Sequence, residues 1–449
     1  VLSPTTGIQA QLPILFAEYT FADKKDIDNY LTLVSQINDF FNQICEFQIL
    51  KAKNNSFLGS ETCNLVIKQC ISFLAENKPK DNLFHTSFVS KISNCKFLSD
   101  SEKNNYINKN LDLINSSVFP GYNKIISSLK DLQKSGYCKN NKGICHLKNG
   151  KSYYEFLVKN YTGSSKSVLE LKSDIQSRLM KDMRTMYSIL TVNPELENMF
   201  YSEEHKSKSP QAILKELNSK YTDDFPNIGN INYTVKYVDE NLQDYLSPAF
   251  FLTPAIDDTN NNVIYINESD AFSKQDIYTT LAHEGIPGHM YQSAFFIQTN
   301  PLPVRHILSY GGYTEGWATY VEFLSYSYKY SDQRLAKALS CSASYSLALY
   351  SLCDIGINYE GWSFKETKDF LKNYNITGDD ICKNIYQAVI NEPANYLQYY
   401  VGYLEITALK EKVQKQLGTD FNLKDFHKSF LTIGPADFKT VEKWIYTFY

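Results

Sequence analysis

The chain has 449 residues, of which 43% are hydrophobic and 21% are charged, so it is long enough for a large core in one or two domains. Its 45 basic and 49 acidic side chains give a formal net charge of −4, which argues against nucleic acid and anionic membrane surfaces as partners. No uninterrupted apolar run reaches the roughly 18 residues that a membrane span needs, so no transmembrane segment is expected.

Helical periodicity dominates the sequence. Apolar residues recur at helical spacing in several long segments, and Pro120 and Gly136 mark the start and the end of one of them. The strand signals are an alternating run at 231–238 and a short β-branched run at 261–267. These patterns predict a mainly α protein with a small β-sheet. The predicted helical segments are 26–53, 116–136, 167–190, 313–330, 333–355, 364–373 and 395–417.

A polar segment at 202–211 breaks the periodicity and is expected to join two halves of the chain. We predict an N-terminal helical region at 1–225 and a catalytic region at 226–449, which together form one continuous structural unit. The sequence contains no internal repeat and no low-complexity tail.

Nine cysteines are scattered along the chain without the spacing of a zinc knuckle, and their odd number leaves at least one of them unpaired. Cys138 and Cys145 flank a polar loop, "CKNNKGIC". They either close a small disulfide or are two unrelated thiols.

The stretch "TLAHEGIPGHMYQ" at 280–292 is close to the helix of a zinc peptidase. In such a helix a histidine binds the ion, and the glutamate that follows it takes a proton from water. His283 and Glu284 match this pair, but the second histidine, His289, lies six residues after the first instead of four. Residues six apart on a regular helix are rotated by roughly 240° and separated by about 9 Å along its axis, so they cannot chelate one ion.

Pro287 and Gly288 remove this difficulty. A proline inside a helix eliminates a backbone hydrogen bond and clashes with the preceding turn, and a glycine adopts backbone angles that other residues avoid. Together they can break the helix and bring His289 next to His283. The alternative is a buried structural histidine pair on a kinked helix.

A third metal ligand is expected on the next helix, in "GGYTEGWATYVEFL" at 311–324. Glu315 follows His289 by 26 residues, with loop signals between them. Gly316 lets a neighbouring backbone approach, and Trp317 is expected to pack beside the ligand. Glu322 lies on the same face and is a competing ligand or a partner of a ligand.

Two imidazoles and one carboxylate with an open fourth position fit catalytic zinc best. The same ligand set also occurs in non-haem iron sites. The adjacent Glu284 favours zinc, because an iron oxygenase has no need of a base at this position.

Two further residues are candidates from their positions alone. Arg305, which precedes the second helix, is a candidate for binding a substrate carboxylate. Asp354 is a candidate for orienting a ligand histidine through the other ring nitrogen.

Motifs along nearly the whole chain resemble those of the DUF885 family of bacterial proteins. They include "AHEGIPGHMYQ", "YTEGWATYVE", "DIGINYEGWSFKETKDFL", "EPANYLQYYVGYLEITALKEKVQKQLG" and "FNLKDFHKSFLTIG". The family is similar to zincin-like peptidases of the gluzincin type, and "TEGWATY" resembles the segment that carries the glutamate ligand of M1 aminopeptidases. The resemblance implies a large helical zincin-like fold, with His283, His289 and Glu315 as zinc ligands and Glu284 as the base.

The same resemblance implies two further site residues. The family's tyrosine that precedes a glycine by three residues falls on Tyr399, with Gly402 following, and a phenol suits the task of donating a hydrogen bond to an oxyanion. Tyr400 and Tyr403 are close competitors. His427 lies in another family motif, where it either binds substrate or is a packing histidine.

Three departures from the family pattern concern the substrate pocket. Asn358 stands where the family often has a histidine, Ala388 and Val389 replace an arginine–tyrosine pair, and "PANY" replaces "PGQA". Substrate-binding residues are therefore less safely transferred than metal ligands.

The sequence thus predicts a zinc-dependent metallopeptidase whose N-terminal helices wall a cleft for short peptides. Zincins commonly add an extended peptide to a sheet edge, and the strand at 262–266 is expected to serve in this way. The alternatives are a zinc hydrolase of another amide, such as a cell-wall or acylamino bond, and a non-catalytic peptide-binding surface protein. Because family members are often lipoproteins and the chain starts without a methionine, we expect an extracellular or cell-surface location after removal of a signal, with the cytoplasm as the alternative.

Overall fold

The structure is a computed structural model, and it describes residues 1–74, 78–201, 208–243, 246–272 and 275–449. Most of the described residues lie in α-helices, and the described strands form one three-stranded sheet, so the predicted mainly α class is confirmed. In chain order the α-helices are α1 (Ile8–Glu18), α2 (Lys24–Ser35), α3 (Ile37–Lys53), α4 (Ser60–Leu74), α5 (Leu83–Asn94), α6 (Asp100–Leu113), α7 (Phe119–Lys134), α8 (Gly150–Thr162), α9 (Val168–Val192), α10 (Glu197–Phe200), α11 (Pro210–Lys220), α12 (Glu240–Gln243), α13 (Tyr278–Glu284), α14 (His289–Gln298), α15 (Gly311–Lys329), α16 (Gln333–Ile355), α17 (Phe364–Lys372), α18 (Asp379–Asn391), α19 (Asn395–Leu417), α20 (Leu423–Ile433) and α21 (Phe438–Phe448).

The predicted helices from residue 167 onward correspond to α9, α15, α16, α17 and α19. The starts of α9 and α16 are fixed by local chemistry, since Ser167 forms a capping box at the start of α9 and Asp332 caps α16. The predicted helix at 26–53 is instead two helices, α2 and α3, which are separated by Gln36. The end of α7 agrees with the sequence, because Gly136 follows it with a φ of 75°.

The three strands are β1 (Tyr233–Tyr237), β2 (Ala249–Leu252) and β3 (Asn262–Ile266). They are ordered β1-β3-β2, with β1 parallel and β2 antiparallel to β3. All five residues of β3 are buried, as expected of the middle strand. The expectation that 262–266 offers an edge to a peptide is therefore wrong, because β3 has a neighbour on both sides.

The chain divides into two compact units. One comprises residues 1–141 and 239–247, and the other comprises 142–238 and 248–449. Residues 202–207 of the predicted joining segment lie outside the described part of the chain. The proposal that residues 1–225 wall a cleft in the catalytic region stays a prediction.

Aromatic packing forms the core of the first unit. Tyr122 is fully buried, with its ring centroid 5.0 Å from that of Phe41 and 4.3 Å from that of Phe73. Its hydroxyl donates to the backbone oxygen of Gln9 at 2.7 Å, so this buried polar group is paired.

In the second unit the apolar core surrounds α13, α15 and α19 and includes the inner residues of the sheet. Ile264 of β3 and Leu281 of α13 are both fully buried in this core. The sheet thus supports the helix that carries the first predicted metal ligand. Among the described residues, no helix combines the length and the hydropathy needed to cross a bilayer.

Candidate metal centre

The helix that contains the predicted motif breaks between its two histidines. Helix α13 ends at Glu284 and α14 begins at His289. Gly285 and Gly288 both leave the helical region, with ψ angles of −101° and −135°. A β-carbon on Gly288 would lie 1.8 Å from the backbone oxygen of His283, so this approach requires glycine. The break brings the two imidazole rings to a centroid distance of 4.8 Å.

Trp317 holds the broken turn against helix α15. Its indole nitrogen donates to the backbone oxygen of Pro287 at 2.9 Å, and the side chain is fully buried. The ring centroids of Phe225 and Phe430 lie 5.7 Å and 5.4 Å away. Because Glu315 precedes Trp317 by two residues on the same helix, this contact also sets the position of the carboxylate relative to the histidines.

Three side chains converge on one point. The Nε2 atoms of His283 and His289 lie 3.6 Å and 3.3 Å from Oε2 of Glu315, and the potential ligand atoms are all within 4.8 Å of one another. Ligand atoms on a tetrahedral zinc ion at about 2.1 Å are roughly 3.4 Å apart. The donor spacing is therefore suited to a single small cation.

The charges at this point also favour a cation. Oε2 of Glu315 is buried and, within the described structure, has no hydrogen-bond partner. Burial alone would raise the pKa of Glu315, but His289 and His283 hold that pKa well below its ordinary range. Burial alone would likewise lower the pKa of His283, but Glu315 and Glu322 hold it well above its usual value. The donor set, two imidazoles and one carboxylate, fits zinc.

Glu322 occupies the outer side of His283. Its Oε2 lies 2.9 Å from Nδ1 of His283, which leaves the Nε2 atom of the ring for the shared point. This contact with a predicted ligand favours the second of the two roles predicted for Glu322, that of a ligand's partner. Asp354 does not take that place, because its carboxylate accepts hydrogen bonds from the hydroxyl of Tyr154 and the backbone nitrogen of Ala394.

Glu284 adjoins both the predicted metal ligands and the sheet. Its Oε2 accepts a hydrogen bond from the backbone nitrogen of Phe251 in β2 at 2.8 Å, so the sheet lies beside the site as predicted. Burial raises the pKa of Glu284, and the carboxylate of Glu315 adds to this effect, while His283 and His289 oppose it. A carboxylate with a raised pKa is a more effective proton acceptor near neutral pH.

Tyr399 faces His283 from helix α19. Its ring is nearly parallel to that of His283, with the centroids 6.2 Å apart. A backbone contact between α15 and α19 allows this approach, since a β-carbon on Gly316 would lie 2.5 Å from the backbone of Gly402. Tyr399 lies one turn before Gly402, and Glu315 precedes Gly316, so the glycine contact brings both side chains to the same region.

The two competing tyrosines of α19 face other partners. The hydroxyl of Tyr400 lies 3.1 Å from Oγ of Ser344, and the hydroxyl of Tyr403 accepts a hydrogen bond from Arg178. Tyr399 is therefore the one of the three that the structure places next to a predicted ligand.

His427 is a packing residue. It is fully buried, its Nδ1 donates to the backbone oxygen of Asp224 at 2.7 Å, and its Nε2 lies 3.0 Å from the hydroxyl of Tyr320. Its ring stacks on Phe225 at 4.2 Å. Burial lowers the pKa of His427 to about 3, so it stays neutral. The prediction that it binds substrate is not favoured, since both ring nitrogens are occupied within the protein.

Arg305 holds the end of helix α20. One of its terminal nitrogens donates to the backbone oxygens of Ile433 and Pro435 at 2.9 Å and 3.1 Å. The guanidinium also lies 5.7 Å from the ring centroid of Phe296. The contacts of Arg305 that the structure describes are therefore with the end of α20 and with Phe296, and not with the three predicted metal ligands.

Sequence reasoning did not anticipate the contact between Phe251 and Glu284. The run "AFFL" at 249–252 lies between Pro248 and Pro254, and prolines at both ends are the signal that could have marked it as a short strand. Its place beside Glu284 depends on pairing with β3, which local sequence does not encode.

Comparisons with known proteins concern the family and the fold. DUF885, described as "Bacterial protein of unknown function", matches residues 1–445. The structure of a "putative lipoprotein" from Colwellia psychrerythraea is similar with a TM-score of 0.85 at 21% identity, over 99% of this chain and 80% of that chain. A "putative lipoprotein of unknown function" from Shewanella oneidensis is similar with a TM-score of 0.61 at 17% identity, over 97% of this chain and 81% of that chain. No curated protein matches the chain.

Proposed function

The chain belongs to the DUF885 family, and we propose that it is a zinc-dependent metallopeptidase acting on short peptides. One observation carries the proposal. Two imidazole nitrogens and one carboxylate oxygen lie within 4.8 Å of one another. Glu284, next to the first ligand in sequence, is held beside them by the backbone of β2.

His283, His289 and Glu315 would hold the zinc ion, and His283 would be oriented by Glu322. When bound, zinc supplies Lewis acidity that lowers the pKa of water and polarises a substrate carbonyl. Glu284 would accept the proton of the attacking water and return it to the departing amine.

Tyr399 would donate a hydrogen bond to the oxygen of the scissile carbonyl as negative charge develops there. Burial raises the pKa of Tyr399 well above 10, and the carboxylates of Glu315 and Glu284 raise it further. The phenol would therefore keep its proton at neutral pH and act as a donor. Its position over His283 supports this role.

Strand β2 would bind the peptide backbone. It has β3 on one side and, among the described strands, no neighbour on the other. The backbone nitrogen of Phe251 donates to Glu284 and therefore points away from β3. In an antiparallel pair, every second residue of an edge strand directs its N–H and C=O groups to the open side, which here is the side of the site. A peptide added to this edge would lie beside Glu284, and recognition through the backbone tolerates many side chains.

Metal analysis of the purified protein tests the first half of the proposal. We expect about one zinc per chain for a three-ligand site. His289→Ala should lose the metal, and His306→Ala is the matched control, because His306 packs against Phe296 away from the three ligands. Absence of zinc from the native protein, or its retention by His289→Ala, would contradict the assigned centre.

A peptide library separates the peptidase from its rivals. Cleavage of short peptides by the native protein, lost in Glu284→Gln while zinc is retained, is the expected result. If the protein hydrolyses only cell-wall or acylamino amides, short peptides are not its substrates, but the proposed roles of zinc and Glu284 are unchanged. Peptide binding without turnover would identify a non-catalytic binding protein.

We also propose an extracellular or cell-surface location, supported by the names of the two similar solved structures. Fractionation of the source cells with an antibody checks this, and recovery with the cytoplasmic proteins would contradict it.

A further inference from the structure

A short backbone bridge holds the segment after helix α7 against the start of helix α4. Gly59 and Lys139 form an isolated antiparallel β-bridge. The backbone nitrogen of Ser60 also donates to the side-chain oxygen of Asn141 at 3.2 Å. A β-carbon on Gly59 would lie 2.6 Å from the backbone oxygen of Asn140, so the two segments are in close contact.

This bridge places two cysteines next to each other. Cys138 directly precedes the bridged Lys139. Cys63 lies one helical turn after Gly59, with its backbone nitrogen bonded to the Gly59 oxygen at 3.0 Å. Both thiols are free, and that of Cys63 donates to the backbone oxygen of Leu129 at 3.9 Å. Burial raises the pKa of both thiols, and each thiol also shifts the pKa of the other, as neighbouring groups do. A disulfide requires the two Cα atoms to lie within about 7 Å of each other, and the pairing of the two backbone segments at Gly59 and Lys139 favours such an approach.

The other cysteine of the loop at 138–145 has a different environment. The thiol of Cys145 donates to the backbone oxygen of Ile357 at 3.4 Å. Cys138 and Cys145 are both free in the structure. This agrees with the interpretation of "CKNNKGIC" as a loop between two unrelated thiols and not with a disulfide between them. The neighbour of Cys138 is instead Cys63, 75 positions earlier in the sequence.

We propose that Cys63 and Cys138 form a disulfide when the chain is exposed to an oxidising compartment. Disulfides persist outside the cytoplasm, where the surroundings do not reduce them. The bond would join α4 covalently to the segment that follows α7, in addition to the Gly59–Lys139 bridge. The proposal rests on the first unit of the fold and does not depend on the proposed peptidase activity.

The two thiols would react in a defined order. Cys138 is partly exposed and Cys63 is fully buried. With glutathione disulfide as the oxidant, the Cys138 thiolate attacks one sulfur and releases a glutathione thiolate, which gives a mixed disulfide. Cys63 then loses its proton and attacks the Cys138 sulfur, which releases the second glutathione. Two electrons and two protons pass from the protein to the oxidant.

Thiol counting and peptide mapping test the proposal. The full chain is purified with reductant, exchanged into glutathione disulfide without denaturant, and then alkylated in denaturant. We expect the number of alkylated cysteines to fall by two from the nine of the reduced protein. Digestion without reductant should release one linked peptide pair that contains Cys63 and Cys138.

Variants give an independent check. Cys138→Ser should abolish the loss of the two thiols, whereas the control Cys145→Ser should leave it unchanged. Cys63→Ser is a less suitable variant, because a hydroxyl at this buried position would itself affect folding. Peptide mapping of the oxidised native sequence identifies the partner of Cys138 instead. A linked pair of Cys138 with Cys145, or nine reactive thiols after oxidation, would overturn the proposal.

Discussion

Two glutamates on one helix have different positions around His283. Glu315 presents its Oε2 atom to the Nε2 side of the ring at 3.6 Å, and Glu322 presents its Oε2 atom to the Nδ1 side at 2.9 Å. Helical spacing alone left both available as ligands, since seven residues are close to two turns. The orientation of the imidazole makes the distinction, and this depends on the broken turn before His289.

Glu322→Gln should weaken zinc binding without removing the site. The amide can still accept a hydrogen bond from Nδ1, but it lacks the negative charge that makes the ring a better ligand, so affinity should fall by about 10–100-fold. Competition with a fluorescent chelator measures the change. The exposed Glu411→Gln on α19 is the matched control. Equal affinities of Glu322→Gln and the native protein would mean that Glu322 does not act through His283.

Tyr399→Phe should lower kcat and leave zinc content unchanged. If the phenol donates to developing negative charge, its loss costs about 10²–10³-fold in kcat with little change in KM. Steady-state kinetics on a cleaved peptide supplies the measurement. Tyr400→Phe is the control, because that neighbour bonds Ser344 and does not face His283. An unchanged kcat in Tyr399→Phe would remove this residue from the mechanism.

Among the helices, the buried carboxylate of Asp354 in α16 joins the start of α19 to helix α8 and to the segment that follows α16. Oδ1 of Asp354 accepts hydrogen bonds from the Tyr154 hydroxyl at 2.7 Å, the Asn358 amide at 3.2 Å and the Ala394 backbone nitrogen at 3.0 Å. Ala394 has a φ of 66°, which an alanine adopts only at a cost in energy. Because α19 begins at the next residue, this junction helps to position Tyr399.

Asp354→Asn should change how stability depends on pH. Burial raises the pKa of Asp354 from 3.8 to about 7. The folded protein therefore keeps a proton that the unfolded chain loses, so Asp354 makes stability fall as pH rises from about 4 to about 7, by roughly a few kcal/mol. The asparagine variant lacks this contribution and should gain stability relative to the native protein over that interval.

Urea unfolding midpoints at several pH values between 4 and 8 measure this effect. The exposed Asp380→Asn on α18 is the control and should follow the native curve. If the Asp354→Asn and native midpoints keep a constant difference across the range, Asp354 does not hold a proton in the folded state.

For the whole molecule, the sequence predicted the long helices better than the sheet. Helices such as α9 and α16 have amphipathic faces and polar caps that are encoded within a few residues. The break at Gln36 was missed because no proline or glycine marks it. Strand β2 was missed because four residues carry too little pattern, and its pairing with β3 is a tertiary contact.

The site residues also divide into those that local sequence predicts and those that only the three-dimensional structure identifies. His283, His289 and Glu315 were predicted from residue types and spacing, together with the proline and glycine that absorb the two extra residues. Tyr399 came from resemblance to a family, since 34 tyrosines offer no local signal that selects one of them. The distinct roles of Glu315 and Glu322 required three-dimensional positions.

Metal removal is expected to destabilise the second unit, because the three proposed ligands come from α13, α14 and α15. Without a cation, the buried carboxylate of Glu315 lies between two imidazoles with its Oε2 atom unpaired in the described structure. Zinc at 100 times its dissociation constant should stabilise the folded protein by about 2.7 kcal/mol. Thermal unfolding of chelator-treated protein, before and after zinc is restored, measures this difference. His289→Ala should not respond to zinc, whereas His306→Ala should respond as the native protein does. An equal response of His289→Ala would place the stabilising ion at a different site.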